Sequence, residues 1–296
     1  MTDMSSHGVV VGVDASASSA AAVTWAAQDA QSRGVALSLV HVVPPIVLPS
    51  SPMPDMPASY ARAEEDRARR IVDDARKLAC EVAPQHMSRV NTEVIMGPIV
   101  PTLVDMSKSA ALVVVGCLGQ SAVDRALLGS VSSGLVHHAH CPVAVIHTEH
   151  TPSPRDPVLV GIDGSPASER ATAIAFDEAS RRGVDLVALH AWTDMGPLEF
   201  PSVNWAPIEW RNIKEREEEV LSERLSGWQA QHPDVGVQRV VVADRPGLRL
   251  LEHAGRAQLV VVGSHGRGGF SGMLLGSVSS ALVHSAQVPV IVARQD

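Results

Sequence analysis

One glycine spacing occurs twice in this chain and narrows what it can fold into more than any other feature. Gly116, Gly119, Gly129 and Ser130 recur as Gly263, Gly266, Gly276 and Ser277, 147 residues later. Each set directly follows a run of Leu and Val, at 112–115 and 259–262. A short branched apolar run bounded by glycine reads as a buried strand. Glycine lets the backbone turn or approach another group closely. A Gly-Ser pair opening a helix leaves main-chain N–H groups without intrahelical partners. Strand, glycine loop and helix start together make a place where backbone donors face a phosphate chain, and two of them predict a duplicated nucleotide-binding domain.

The duplication extends beyond the glycines. Residues 9–42 align with 158–191 at an offset of 149, with 14 of 34 positions identical. Residues 112–147 align with 259–294 at an offset of 147, with 20 of 36 identical and no gap. The stretches between match poorly and differ in length by two residues. Pro152, Pro154 and Pro157 read as a short stiff connector, so the expected domains are 1–150 and 151–296.

Within each half, strand and helix patterns alternate. In the first, 9–14 reads as a strand and 16–33 as a helix, with Ser16 at its N-cap and Gly34 at its end. The second copy opens the same helix with Ser165-Pro166 and closes it at Gly183. A strand at 35–42 is followed by a proline-rich loop (Pro44, Pro45, Pro49, Pro52, Pro54, Pro57) and a charged helix over 58–82. Then come a strand at 90–96, a helix at 99–109, a strand at 112–116, a helix at 129–139 and a strand at 143–147. The second half repeats this order, with a long helix through 210–228. Strict alternation with right-handed crossovers gives an α/β fold with a doubly wound parallel sheet. Each half is then a five-stranded sheet, and an order of 3-2-1-4-5 is expected.

Composition fits and excludes. Hydrophobic residues make up 45% and aromatics 3%, which suits parallel sheets buried on both faces. A formal net charge of −8 argues against a nucleic-acid partner. No apolar run approaches the ~20 residues that cross a bilayer, and residues 1–8 lack the basic start and apolar core of a signal peptide. Three cysteines, Cys80, Cys117 and Cys141, make no disulfide framework. The expected setting is the reducing cytoplasm.

In an open parallel sheet, ligands bind beyond the carboxyl ends of the strands where the order reverses, here between strands 1 and 4. Strand 1 ends at Asp14 or Asp163 and strand 4 at Gly116 or Gly263. The acid and the glycine loop therefore meet at one crevice from about 100 residues apart. The expected roles follow. Gly116 and Gly119 admit a close backbone approach. The helix opening at Gly129, Ser130, Val131 and Ser132 meets phosphate with amides, and its serines add hydroxyl donors. Asp14 accepts from ribose hydroxyls or helps hold Mg²⁺, or simply caps the first helix. Val13, Val42 and Val115 wall a base pocket. The plainer alternative for the glycines is a tight turn, and for Gly-Ser a cap alone.

Other nucleotide motifs are missing. There is no phosphate-loop lysine motif, and the glycines at 266–272 miss the dinucleotide fingerprint by one position and follow strand 4 instead of strand 1. The residues present resemble the ATP-binding branch of the universal stress protein family in its tandem form. The resemblance rests on Val-Gly-Val-Asp-x-Ser and its second copy (12–16, 161–165), the strands ending at His41 and His190, the double glycine loop, and Val262 to Arg267. It implies an adenine nucleotide alpha hydrolase-like fold with the halves related by a pseudo-two-fold axis. It also implies ATP binding in each half, with Mg²⁺, and association through the last strands, within the chain or as a homodimer. The implied role is regulatory, under stress or growth arrest, with a protein partner that remains to be named. Carried onto matching positions, the implied site is Val13, Asp14, Val42, Gly116, Gly119, Gly129, Ser130, Val131 and Ser132 in the first half. In the second it is Ile162, Asp163, Ala191, Gly263, Gly266, Arg267, Gly276, Ser277, Val278 and Ser279. Gln120 stands where Arg267 stands, so the first site lacks that cation for a phosphate and equal affinity is not expected.

Fast phosphoryl transfer needs a positioned base and cationic clamps; the crevices offer Asp14 or Asp163 and, in the second copy, Arg267, while the first copy offers no obvious clamp, so at most slow ATP hydrolysis is expected and no catalytic residue is assigned. A ligase or pyrophosphatase would carry other loops after strand 1 than Asp14-Ala15-Ser16. A scaffold without nucleotide is the third alternative. Among lesser features, His137, His138, His140 and Cys141 crowd a helix end, read as packed or solvated instead of metal-binding. Cys117 sits in the glycine loop, where oxidation would block binding; the simpler reading is a small buried residue. His41 and His190 are read as bonding backbone, and 214–219 as a solvated face. The aromatic stretch 200–210 is read as packing between the halves, with a lid or a partner surface as the alternatives.

Overall fold

The computed structural model of the protein describes residues 8–45, 58–118, 128–147, 152–192, 206–267 and 274–294, with main chain alone at 58–61 and 206–213. The chain divides into two compact units, Met1–Ile146 and His147–Asp296.

The first unit runs β1 (Gly8–Gly12), α1 (Ala17–Arg33), β2 (Leu37–Val43), α2 (Ala58–Val82), a 3₁₀ turn (Pro84–Arg89), β3 (Val90–Met96), α3 (Ile99–Ser107), β4 (Ala110–Gly116), α4 (Ser130–His138) and β5 (Val143–Ile146). Its strands are all parallel in the order β3-β2-β1-β4-β5. The second runs β6 (Val158–Gly161), α5 (Pro166–Arg182), β7 (Leu186–Ala191), α6 (Ala206–Gln231), β8 (Val237–Val242), α7 (Pro246–Ala254), β9 (Leu259–Gly263), α8 (Ser277–Ser285) and β10 (Val290–Ala293). Its order is β8-β7-β6-β9-β10, again parallel. In both units the first strand lies between the second and the fourth, so the order reverses beside it.

Burial explains the patterning. Val9, Val10, Val11, Val113 and Val114 on central strands are fully buried, because helices cover both sheet faces. β3 is an edge, and its residues alternate, leaving Val94 and Met96 exposed. α1 packs beside α2, and α3 beside α4. In the second unit Phe176 of α5 stacks with Trp228 of α6 at 6.3 Å between ring centres.

The helix ends form as their residues dictate. The Ser16 hydroxyl accepts from the Ser19 N–H at 3.1 Å, and Ser165 does the same for Ser168 at 3.2 Å. Each cap satisfies a first-turn amide. Gly34 and Gly183 close α1 and α5 with φ of 67° and 64°, the left-handed conformation glycine adopts without penalty. Three expectations shift. β1 and β6 end at Gly12 and Gly161, two residues before the acids, because the chain turns there to cap the next helix. α6 is longer than its periodic core, at Ala206–Gln231. The 3₁₀ turn after α2 carries no apolar period, yet it is fixed by His86, whose ring bonds the Val35 carbonyl at 2.5 Å. The prolines at 49–57 lie outside the described residues, and among those described no helix is long and apolar enough to cross a membrane.

Candidate functional site

The turn after the first strand is built alike in both units. Asp14 Oδ1 accepts from the Ser16 N–H at 3.0 Å, and Asp163 Oδ1 from the Ser165 N–H at 2.9 Å. Each acid's own N–H donates to a helix serine, Ser19 or Ser168, at 3.2 Å. The helix caps are therefore Ser16 and Ser165, and the acids tie down the turn that precedes them. Asp163 Oδ2 reaches further and accepts from the Arg267 N–H at 3.0 Å, while the Ser165 hydroxyl donates to the His265 carbonyl at 3.2 Å. These bonds pin the glycine loop to the strand 1 turn across about 100 residues of sequence, the juxtaposition the strand order requires. In the first unit, Ser18 makes the matching link to the Leu118 carbonyl.

The glycines have roles that differ from those expected. A Cβ on Gly116 would lie 2.6 Å from the Ser18 main chain, and one on Gly263 2.7 Å from that of Ala167. Neither has a positive φ. These two glycines serve close packing of the first helix on the fourth strand, a role the sequence reading did not assign to them. Gly266 faces the site: a Cβ there would stand 2.5 Å from Asp163 Oδ2. Gly119 and Gln120 lie outside the described residues.

The loop closes onto α4 and α8 in the same way in both units. The Gly129 N–H donates to the Cys117 carbonyl at 2.8 Å and the Gly276 N–H to the Ser264 carbonyl at 2.7 Å. Gly129 and Gly276 are the N-caps, and no side chain caps either helix. The first-turn amides, at Ser130–Ser132 and Ser277–Ser279, are thus left for another acceptor. The third-position serines do not offer hydroxyl donors to a ligand, contrary to the expectation for Ser132. Ser132 is buried and shares its proton between the Cys117 and Gly129 carbonyls at 3.1 and 3.0 Å. Ser279 donates to the Gly263 carbonyl at 2.6 Å. Ser130 and Ser277 are exposed.

In the second unit these parts enclose a cavity of about 570 Å³, a size in the range of small-molecule sites. All ten residues expected there line it: Ile162, Asp163, Ala191, Gly263, Gly266, Arg267, Gly276, Ser277, Val278 and Ser279. Sequence reasoning missed Trp192, Glu217, Pro246 and Leu250, which also line it. In the first unit Val13 and Val42 are buried at the ends of the first two strands, while Asp14, Gly116, Gly129 and Val131 are half-buried around the corresponding turn.

The strand-end histidines bond backbone as expected. His41 and His190 donate from Nδ1 to the Val13 and Ile162 carbonyls, each at 2.7 Å. His190 also faces cavity-lining Glu217, Nε2 to Oε2 at 3.1 Å. At the end of α4, His137 bonds the Ser133 carbonyl at 2.6 Å. Among the described residues no group of three or more His, Cys, Asp or Glu is placed to hold a metal ion. Cys117 is buried behind the loop, its N–H on the Ile146 carbonyl at 2.9 Å. Lys214 pairs with Glu218 at 3.5 Å on an exposed face of α6. Phe200 and Trp205 lie outside the described residues, as does the side chain of Trp210.

Comparison with known proteins places this geometry. The family model described as universal stress protein family matches twice, over residues 6–147 and 154–294. A universal stress protein of Mycobacterium tuberculosis strain H37Rv is 57% identical over 303 residues, covering 97% of this chain and 95% of that protein. A second from the same strain is 53% identical over 293 residues, covering 98% and 97%. The crystal structure of a universal stress protein from Archaeoglobus fulgidus superposes with a TM-score of 0.70 at 20% identity, covering all of both chains; it shares the fold.

Proposed function

This chain belongs to the universal stress protein family, and from that premise we propose that it is a cytoplasmic regulatory protein whose crevices bind ATP. One observation carries the reading. In the second unit a single cavity joins the strand 1 acid, the apolar end of strand 2, the glycine loop and the uncapped start of a helix. Ile162 and Ala191 offer an apolar wall for a base. The amides of Ser277, Val278 and Ser279 and the positive helix end suit phosphates. Arg267 adds a cation beside them.

Magnesium would enter this site with the nucleotide. Asp163 gives one oxygen to the Ser165 N–H and the other to the Arg267 N–H, and each oxygen keeps a further lone pair that would face a metal held on the phosphates. Slow turnover is expected because the acids and the imidazole that line the crevice, Asp163, Glu217 and His190, are held in bonds within the protein. The protein is therefore a nucleotide-occupied module, with at most slow ATP turnover, that changes rigidity and partner surfaces with ATP level. Association through the last strands and a protein partner belong to the same reading.

The test is to denature the purified protein and identify the nucleotide released, with its ratio to chain. ATP at up to two per chain is expected. Protein that carries no nucleotide and takes up none from millimolar Mg-ATP overturns the reading.

A further inference from the structure

We propose that Glu217, oriented by His190, selects the base in the second crevice by accepting a hydrogen bond from the 6-amino group of adenine. The inference rests on the nucleotide reading above and adds a residue that neither the glycine motif nor the repeat contains.

His190 is the penultimate residue of β7 and is buried. Its Nδ1–H is fixed on the Ile162 carbonyl of the neighbouring strand end at 2.7 Å. The ring so held turns Nε2 toward α6, where Glu217 Oε2 stands at 3.1 Å. Both ring nitrogens thus face oxygen atoms, and the ring fixes where the Glu217 carboxylate stands. His190 and Glu217 line the cavity together with Ala191 and Trp192. The surrounding α6 acids, Glu215, Glu218 and Glu219, are exposed. Glu217 alone of this group is turned inward, with a side chain 26% exposed.

Apart from Asp163, whose two oxygens are held by the Ser165 and Arg267 N–H groups, charge is divided across the cavity. Arg267 and the uncapped start of α8 lie at the β9 end, and Glu217 lies at the β7 end. β6 separates the two, so they stand about two strand spacings, ~10 Å, apart. A carboxylate repels phosphate and accepts from a donor, so a nucleotide enters with its phosphates toward α8 and its base toward α6. Adenine presents an amino donor on its six-position; guanine presents a carbonyl oxygen there, an acceptor against an acceptor.

Among the described residues of the first unit no such pair is formed. His41 makes the same bond to Val13, but α2 and α6 end at Val82 and Gln231, an offset of 231 − 82 = 149. The counterpart of Glu217 is then at 217 − 149 = 68, and Ala68 is buried. Among the described residues, the carboxylate that reads the base in the second crevice has no counterpart at this helix position in the first.

The test titrates the full chain with ATP and with purine riboside triphosphate, which lacks the 6-amino group, and resolves two sites. At the second site ATP should bind about tenfold or more tightly than the analogue, the worth of one hydrogen bond to a charged group. Glu217→Ala should weaken ATP by that factor and leave the analogue where it was. Glu217→Gln, which keeps an accepting oxygen without the charge, should fall between. Alanine already occupies this place in α2, so the helix is expected to fold, and circular dichroism checks it. A preference for ATP that survives in Glu217→Ala, equal weakening of both ligands, or tighter binding of GTP than ATP overturns the inference and leaves nucleotide binding standing. If the wild-type protein binds neither triphosphate, the nucleotide reading fails and this one with it.

Discussion

Ala15 and Gly164 occupy the same place in the two units, directly after the strand 1 acid, and both have a left-handed backbone, with φ of 63° and 76°. Alanine in that region costs about 1–2 kcal/mol, part of which glycine's greater unfolded freedom offsets. Ala15→Gly should therefore stabilise the first unit by up to about 1 kcal/mol, read as a raised denaturant midpoint. Gly164→Ala should destabilise the second, because its new methyl would occupy the place of the Arg224 guanidinium, which lies over that glycine. A rise in midpoint for Gly164→Ala would contradict this account of the turn. A second residue-scale prediction concerns Asp244, which is buried at the start of α7. The Arg245 N–H and then the Arg249 guanidinium hold its carboxyl below the ordinary carboxylate range, against the opposing effect of burial. A lowered folded value means that the stabilisation is present above the unfolded value of about 3.9 and is lost as pH falls through the folded one. Asp244→Asn should be less stable than wild type at neutral pH, and the two should converge below about pH 4. A constant difference down to pH 2 would contradict it.

At the scale of elements, α1 on β4 and α5 on β9 are contacts that admit no side chain. Gly116→Ala and Gly263→Ala each place a methyl against helix main chain, and main chain yields less than a flexible side chain. Each should lose about 1–3 kcal/mol, measurable by denaturant unfolding without nucleotide. A loss of nucleotide affinity at unchanged stability would restore the ligand-approach role. These elements also show what the sequence made legible. Ser16, Ser165, Gly34 and Gly183 act through local chemistry and were readable in place, as were the Val and Leu runs of the central strands. The cavity residues on β6, β9 and α8 were readable because both copies retain them. Glu217 was not, because α6 belongs to the drifted centre of the repeat, and only the fold brings it to His190. The hydroxyl of Ser132 was misread because the loop that folds back to accept from it has no local signal. A residue at a turn shows its purpose in its neighbours; a residue on a helix 27 positions away shows it only in the fold.

At the scale of the whole molecule, one chain carries two versions of one strand turn, glycine spacing and helix start. They share the acid, the glycine loop and the uncapped helix, and they differ in Arg267 against Gln120 and Glu217 against Ala68. On the nucleotide reading two unequal sites are expected, and ATP at ~100 times a site's dissociation constant should stabilise its unit by about 2.7 kcal/mol. Arg267→Gln should reduce the second site's triphosphate affinity about tenfold, the worth of one charge-assisted bond; identical titrations for variant and wild type would remove Arg267 from phosphate binding. The most direct test of the central claim is crystallography of the chain grown with Mg-ATP. The account expects nucleotide in the second unit with phosphate oxygens on the amides of Ser277–Ser279 and the purine between Ile162 and Ala191. A cavity without nucleotide under saturating ligand, or a nucleotide seated elsewhere on the surface, contradicts it.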